Sequence, residues 1–379
     1  MDDKLYQQLK TAEENKALPS VIAYNRIDGP GSSLDLREFQ QAFWSMPRIP
    51  ANPKAKPSME WSRTLPRTIG ITINTGTKIE AHPFHPDKIG INSIDYNHNI
   101  EGKPGLIPPL KEYWLLKIIE LFGIVGVKFT LKNLFEYTHS SGLGGSSTAT
   151  TGVCILANEL ANRPMDEIQL ISLASRIEQD LGVSLTGTQE QSNVIFGGVV
   201  DYIWFPWGIP GRERTGYGES IRTELIPPED YGELESRIAI FHTGKTRLSV
   251  DVNSVWREKL STREGYALHK KKLEIAYQFR EGLRTRDWTQ VFNTIRDYRD
   301  IRITLCSDYI RGAEEISKIA ENYNSIAFPL GAGGGGGVFI FSPDKANIQE
   351  IQKELNKKYQ EIFFKIKSRG HELFNIPFG

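Results

Sequence analysis

The sequence predicts an α+β protein, because strand-like and helix-like segments alternate and a glycine-serine run joins one of each. Residues Val127–Leu131 alternate apolar and polar side chains, as a half-buried strand does. Residues Thr150–Leu160 are rich in Ala, Leu and Ile, which is typical of a buried helix. Between them lies the run Ser140–Thr148, SSGLGGSST. A length of 379 residues predicts two domains, which we place at 1–205 and 206–379.

The other elements follow from the same two periodicities. Residues 1–20 are polar and are predicted to be peripheral. Gly123 and Gly182 follow two helical patterns and mark where those helices end. Ile69–Asn74 and Lys78–Ala81 are predicted to pair with each other as strands. Further strands are predicted at Val21–Ile27, Gly197–Phe205, Arg237–His242 and Gly337–Phe341, and helices at Lys111–Phe122, Met165–Leu181, successively across 251–320, and Ala346–Ile366.

Residues 37–66 contain five prolines, which is too many for a helix or a central strand. We therefore predict an insertion over this range. Trp44 and Trp61 lie within it, and two tryptophans indicate that it packs against the rest of the protein.

Composition excludes several classes of function. Lys and Arg number 46 and so do Asp and Glu, so the chain lacks the basic surface that nucleic acid requires. Cys154 and Cys306 lie in apolar segments, which favours buried thiols over a disulfide or a metal pair. The N-terminus does not have the pattern of a signal peptide, and no apolar run is long enough to cross a bilayer. These features predict a cytoplasmic protein that is not bound to membranes.

The glycine-serine run is a candidate phosphate site. Glycines allow close approach of the backbone, and the free N–H groups at a helix start attract anions. The alternative is an ordinary loop that caps a helix. The run lacks the lysine of a Walker loop, and Ser147 stands where a dinucleotide-binding loop has its third glycine.

The run resembles the second motif of the GHMP small-molecule kinases, and within that family it is most similar to the kinases of heptose 7-phosphate and fucose. Four further segments resemble family motifs and occur in the family's order. They are Asn25–Asp35, Gly187–Gln191 with Phe196–Gly198, Thr243–Arg247 and Leu330–Gly337.

The resemblance implies a two-domain fold with a ribosomal-S5-like N-terminal domain and a ferredoxin-like C-terminal domain. It also implies an active site between them that uses ATP and Mg²⁺. The nucleotide would bind to Ser140, Ser141, Gly142, Leu143, Gly144, Gly145, Ser146 and Ser147.

Ser146 and Glu178 correspond to the metal-associated serine and glutamate of the family. Magnesium prefers oxygen ligands and keeps several waters, so one hydroxyl and one carboxylate are a plausible protein share. The alternatives are a helix N-cap for Ser146 and a solvated helix carboxylate for Glu178.

Glu190 stands where the family has its catalytic Asp, which takes the proton of the acceptor hydroxyl or orients that hydroxyl. Arg26 would pair with this carboxylate or with the transferred phosphoryl group; the alternative is a surface arginine. Glutamate is one methylene longer than aspartate, so backbone compensation, a slow enzyme and a degenerate kinase all stay open.

The resemblance places the acceptor beside Asp35, Thr243, Arg247, Gly333 and Gly334, although the glycine run 331–337 would alternatively lie over the phosphates. Asp35 would bind sugar hydroxyls, or alternatively cap a helix that begins after it. Arg247 suits an anionic group on the acceptor. Two departures from the family pattern are Phe328, where a basic residue is common, and Gly31-Ser32, where a Gly-Gly pair is usual.

The function implied is phosphoryl transfer from ATP to a hydroxyl of a sugar or sugar phosphate, a small-molecule partner. Two alternatives are a kinase for another alcohol, such as an isoprenoid acid, and a nucleotide-binding protein that has lost catalysis.

Overall fold

A computed structural model describes residues 3–44, 63–95, 97–135, 141–161, 165–206, 219–245, 252–331 and 333–377. Two antiparallel-rich sheets organise this part of the chain. The larger has eight strands, which are β1 (Ser20–Asp28), β2 (Arg67–Pro83), β3 (Ile89–Ser93), β4 (His98–Gly102), β5 (Val127–Asn133), β6 (Val199–Trp204), β7 (Ser220–Ile226) and β12 (His371–Phe374). Their main order is β12-β1-β2-β5-β3-β4; β6 also pairs with β2, and β7 pairs with β6.

Strand β2 is a single strand of 17 residues, so the prediction of two paired strands at 69–74 and 78–81 is wrong. The chain passes through Gly76 without turning. The pairing between β1 and β2 shifts register near this point, between Tyr24 and Asn25 of β1. A Cβ on Gly76 would clash with the carbonyl oxygen of Ala23. Glycine is therefore used here for close approach of two strands rather than for a hairpin turn.

Helices pack on the larger sheet through a core of aliphatic side chains from β1, β2, β3 and β5. The N-terminal segment is a helix that buries Leu5 and Leu9, so it is part of this core rather than wholly peripheral. Cys154 is a buried free thiol, and Cys306 is a partly buried one. The helices are α1 (Asp3–Glu14), α2 (Arg37–Phe43), α3 (Trp114–Leu121), α4 (Gly145–Leu160), α5 (Glu167–Asp180) and α6 (Gln189–Phe196).

The smaller sheet consists of β8 (Ile238–His242), β9 (Ile326–Pro329), β10 (Gly337–Phe341) and β11 (Gln360–Glu361). Their order is β11-β8-β10-β9, and all are paired antiparallel. The long helices that follow β8 pack beside this sheet and against the larger one. The helices are α7 (Tyr231–Glu235), α8 (Val252–Leu260), α9 (Arg263–Thr285), α10 (Trp288–Leu305), α11 (Glu314–Asn322) and α12 (Lys345–Leu355). Within the described residues, 3-10 turns lie at Lys111–Tyr113, Pro228–Asp230 and Ser307–Ile310.

The predicted helix Ala346–Ile366 is wrong beyond Leu355, where α12 ends. Residues 360–361 instead form an edge strand on β8, and the Ile362 amide donates to the carbonyl of Ile240 at 2.8 Å. Ile348, Ile351 and Leu355 pack in one core cluster and Ile362 in another. The shared helical spacing of these residues therefore did not reflect one face.

The predicted insertion at 37–66 begins with helix α2, contrary to the expectation of no helix there, because its first proline comes only at Pro47. Trp44 packs against Phe205 with ring centroids 4.9 Å apart, whereas Trp61 lies outside the described residues.

The boundary at 205/206 stays a prediction. The larger sheet includes β7 and β12 from beyond that boundary. Across the described ranges, no helix has the length and apolarity needed to cross a membrane.

Candidate active site

The glycine-serine run ends at the first turn of α4. Gly142 and Gly144 have φ values of 79° and 81°, a left-handed conformation that glycine adopts at little cost. Gly144 is the N-cap of α4, so the alternative of Ser146 as N-cap is wrong. The free N–H groups of this turn form the kind of anion-binding end that phosphates use.

Glu178 on α5 receives the serine side chains of that turn. The Ser146 hydroxyl donates to Oε1 and the Ser147 hydroxyl to Oε2, both at 2.7 Å. The side-chain amide of Gln191 also donates to Oε2, at 3.1 Å. Glu178 is fully buried, so the alternative of a solvated carboxylate is wrong. Burial raises the pKa of Glu178 to about 7, while the hydrogen bonds from Ser147 and Ser146 oppose that rise.

Arg26 lies between two carboxylates. Its guanidinium forms ion pairs with Asp28, two residues along β1, and with Glu190 in the first turn of α6. It also donates to the carbonyl of Gly142 at 3.2 Å. Arg26 is 3% exposed, so the alternative of a surface arginine is wrong. The Glu190 side chain keeps 20% of its surface exposed and can therefore meet a bound molecule.

The glycine-serine run meets this ion pair at Gly144, which has no Cβ. A Cβ there would lie 3.1 Å from Cγ of Glu190 and 3.5 Å from Cζ of Arg26. The candidate phosphate loop and the candidate catalytic carboxylate thus lie side by side.

Asp35 caps a helix, though not the helix predicted. Its Oδ2 accepts the backbone N–H groups of Thr188 and Gln189, each at 3.0 Å, at the start of α6. The helix directly after it, α2, has no side-chain cap. Burial, with the nearby charge of Glu190, raises the pKa of Asp35 to about 7. The first motif is therefore bonded to the helix that carries Glu190.

The third motif packs against the glycine-serine run. The Gly337 amide donates to the carbonyl of Ser141 at 2.9 Å, and a Cβ on Gly142 would lie 2.5 Å from the carbonyl oxygen of Leu330. Gly333 and Gly334 have φ values of 79° and 75°.

The segment that begins at Thr243 also borders this glycine run. The Thr243 amide donates to the carbonyl of Gly336 at 2.9 Å, and the Gly336 amide donates to the carbonyl of Lys245 at 3.1 Å. Ser140 and Arg247 lie outside the described residues. The motifs, which are spread over positions 25–337 of the sequence, therefore lie against one another in the fold.

Sequence reasoning missed two buried cations beneath the first motif, Lys272 on α9 and Arg302 on α10. Both have no exposed surface. Arg302 donates to the carbonyl of Gly331 at 2.6 Å, close to where the family's basic residue is replaced by Phe328. Neither residue lies in a glycine-rich or motif-like segment, so no local signal pointed to them.

The comparisons with known proteins agree with this geometry. Residues 112–198 match the family described as GHMP kinases N terminal domain. That range contains the glycine-serine run, Glu178 and Glu190. Residues 112–198 therefore match the N-terminal domain of the GHMP kinases.

Among curated proteins, the chain is 27% identical over 248 residues to the D-glycero-alpha-D-manno-heptose 7-phosphate kinase of Campylobacter jejuni, covering 64% of this chain and 69% of that protein. A solved heptose 1-phosphate kinase of Bacteroides thetaiotaomicron superposes with a TM-score of 0.67 at 16% identity, covering 94% of this chain and 98% of that one. A Streptococcus pneumoniae phosphomevalonate kinase, in complex with phosphomevalonate and AMPPNP, superposes with a TM-score of 0.66 at 13% identity, covering 92% and 99%. The predicted α+β GHMP kinase fold is confirmed.

Proposed function

We propose that this protein transfers the γ-phosphoryl group of ATP to a hydroxyl of a sugar or sugar phosphate. The proposal rests on one observation: the glycine-serine run lies against the Arg26–Glu190 ion pair at Gly144. Phosphoryl transfer needs a held triphosphate, neutralised charge and an acceptor hydroxyl in line with the phosphorus. After Gly144, the first turn of α4 supplies N–H groups for phosphates. Beside Gly144, Glu190 supplies a carboxylate and Arg26 a guanidinium.

Glu190 would accept the proton of the acceptor hydroxyl. Its carboxylate is held by Arg26 yet is partly exposed, as a proton acceptor that meets substrate must be. Arg26 would orient that carboxylate and counter charge that develops during transfer.

Ser146 and Glu178 would hold a magnesium ion. The donors that Glu178 has in the described structure, Ser146, Ser147 and Gln191, are neutral, so its buried charge fits a cation there. Ser146 is exposed while Ser147 is buried, so the Ser146 oxygen is the one that a metal ion would reach. Among the described residues no three His, Cys, Asp or Glu side chains form a metal cluster, so this ion would need phosphate oxygens and water as further ligands. When bound, it would neutralise charge on the nucleotide phosphates.

The acceptor would lie beside Asp35, Thr243, Gly333 and Gly334. The similarity to a heptose 7-phosphate kinase favours a sugar phosphate. The phosphomevalonate kinase superposes almost as well as the heptose kinase, which favours an isoprenoid acid as the second candidate. AMPPNP in that neighbour supports an adenine nucleotide as donor.

The direct test measures ATP consumption by the purified protein with Mg²⁺ over a panel of sugars, sugar phosphates and isoprenoid acids. We expect turnover with a heptose or another sugar phosphate and much less with mevalonate or phosphomevalonate. The Glu190→Gln variant serves as the matched inactive protein. Turnover of isoprenoid acids alone would refute the sugar assignment. Tight nucleotide binding with no turnover across the panel would favour the degenerate, nucleotide-binding alternative.

A further inference from the structure

The first-motif loop, residues 29–36, lies on one face of helix α9. A Cβ on Gly29 would meet the ring of Phe279 at 2.5 Å, and a Cβ on Gly31 would meet Cβ of Ala276 at 3.0 Å. Lys272 lies on the same face of α9, one turn before Ala276. Its Nζ donates to the carbonyl of Ser32 at 3.0 Å and to the hydroxyl of Ser33 at 2.8 Å.

The loop conformation that Lys272 meets is a costly one. Ser33 has a φ of 77°, in the left-handed region that a residue with a Cβ rarely adopts. Such a conformation persists only where surrounding contacts fix it. Ser32 is held a second time by the hydroxyl of Tyr298, which donates to the same carbonyl at 3.1 Å.

The Lys272 side chain has no exposed surface, and burial lowers the pKa of its amine well below the usual value. Its neighbours include the rings of Trp256, Tyr298 and Phe39, whose centroids lie 5.3, 5.6 and 5.8 Å from Nζ. A buried amine is costly unless its hydrogen bonds are satisfied. A methionine of similar length would pack in the same apolar setting, so the polar nitrogen calls for an explanation beyond packing.

The bonds lead from Lys272 to the candidate catalytic carboxylate. Lys272 holds Ser33; two residues later, Asp35 caps the start of α6; and Glu190 lies in the first turn of α6. We propose that Lys272 is a positioning residue, which fixes the first-motif loop so that Asp35 and Glu190 meet the acceptor in one arrangement. This inference rests on the proposed function for its catalytic consequence but not for its structural one.

The test compares Lys272→Met with the control Lys271→Met. Lys271 lies on the same helix, and its side chain is exposed. Hydrogen–deuterium exchange is measured on both variants and on the unmodified protein. We expect Lys272→Met to speed exchange of the amides in 29–36 and 187–190, with the control unchanged. Unchanged exchange in both segments, or a uniform increase over the whole chain, would overturn the proposal.

Ser33→Ala provides a second variant, because it removes one partner of Lys272 and leaves α9 intact. It should reproduce part of the faster local exchange, and the double variant should add little to Lys272→Met, since both changes remove the same Lys272–Ser33 hydrogen bond. Fully additive effects would show that the two residues act separately and would count against the proposal.

Steady-state kinetics separate positioning from loss of stability. For Lys272→Met we expect kcat/KM for the acceptor to fall about five- to hundredfold, the range when a buried hydrogen-bonding group loses its partner, while KM for ATP changes less than about twofold. Equal loss for both substrates would contradict positioning. If the unmodified protein phosphorylates nothing, the proposed function fails while the exchange result still decides the role of Lys272.

Discussion

The Ser146 hydroxyl donates to Oε1 of Glu178 at 2.7 Å, which joins the first turn of α4 to a fully buried carboxylate on α5. A hydroxyl and a carboxylate therefore lie side by side, and burial removes the water that would otherwise solvate the charged carboxylate.

The metal-free protein should lose stability as the pH rises toward neutral. The pKa of Glu178 is raised from its ordinary 4.5 to about 7 on folding, so its stabilising effect is complete below about pH 4.5 and lost as the pH rises through 7. The difference is on the order of 3 kcal/mol. In EDTA, Glu178→Gln should have a smaller drop in melting temperature between pH 4.5 and 8 than the unmodified protein. Parallel curves for the two proteins would contradict the assignment.

Ser146→Ala should impair catalysis more than folding. Loss of a hydroxyl bonded to a charged group lowers kcat about ten- to hundredfold and raises the Mg²⁺ concentration needed for half-maximal rate. Ser147→Ala is the matched control, because that hydroxyl also donates to Glu178 but is buried. Magnesium titrations of both variants check the prediction, and an unchanged magnesium dependence in Ser146→Ala would remove that residue from the site.

Glu190→Gln should abolish most of kcat and leave nucleotide affinity nearly unchanged. The change keeps the shape and removes the proton acceptor, whose help is worth about 10²–10⁴ in rate. Glu190→Asp separates two cases: a rate equal or higher shows that the extra methylene is a handicap, and a lower rate shows that the backbone has adapted to glutamate. Full activity in Glu190→Gln would rule out the role as proton acceptor.

Gly142→Ala should destabilise the protein and weaken nucleotide binding. The residue has a φ of 79°, and an added Cβ would lie 2.5 Å from the carbonyl oxygen of Leu330, so we expect a cost of about 1–3 kcal/mol. Gly145→Ala is the control, because a Cβ there meets nothing within 4 Å and an alanine suits the first turn of a helix. Denaturant unfolding and nucleotide titration of the pair test this, and equal stability of both variants would contradict it.

Arg247→Ala should raise KM strongly for a phosphorylated sugar and little for the matching unphosphorylated sugar. A lost charge-assisted pair with phosphate is worth about 1.5–3 kcal/mol, or about ten- to hundredfold. Equal changes in KM for the two acceptors would defeat the assignment of Arg247 to the acceptor phosphate.

The sequence allowed prediction of those parts of the site whose signal is local. The glycine runs, Arg26 and Glu190 lie within motifs, Glu178 lies on the helix just before one, and the structure brings them together. Lys272 and the cap from Asp35 to α6 could not be foreseen, because each joins residues more than 150 positions apart through a single side chain. The pattern of apolar residues failed in a different way at Ile362, where pairing of the neighbouring residues with β8 outweighed helical periodicity.

The pairing of β12 with β1 sets the order in which the protein can be completed during synthesis. Ser20 pairs with Phe374, about 350 positions later, so one edge of the larger sheet stays open while the ribosome makes the intervening residues. An open edge of this kind pairs readily with other chains. Deletion of residues 371–374 would expose the same edge of β1 on the folded protein, so loss of these four residues should trigger aggregation.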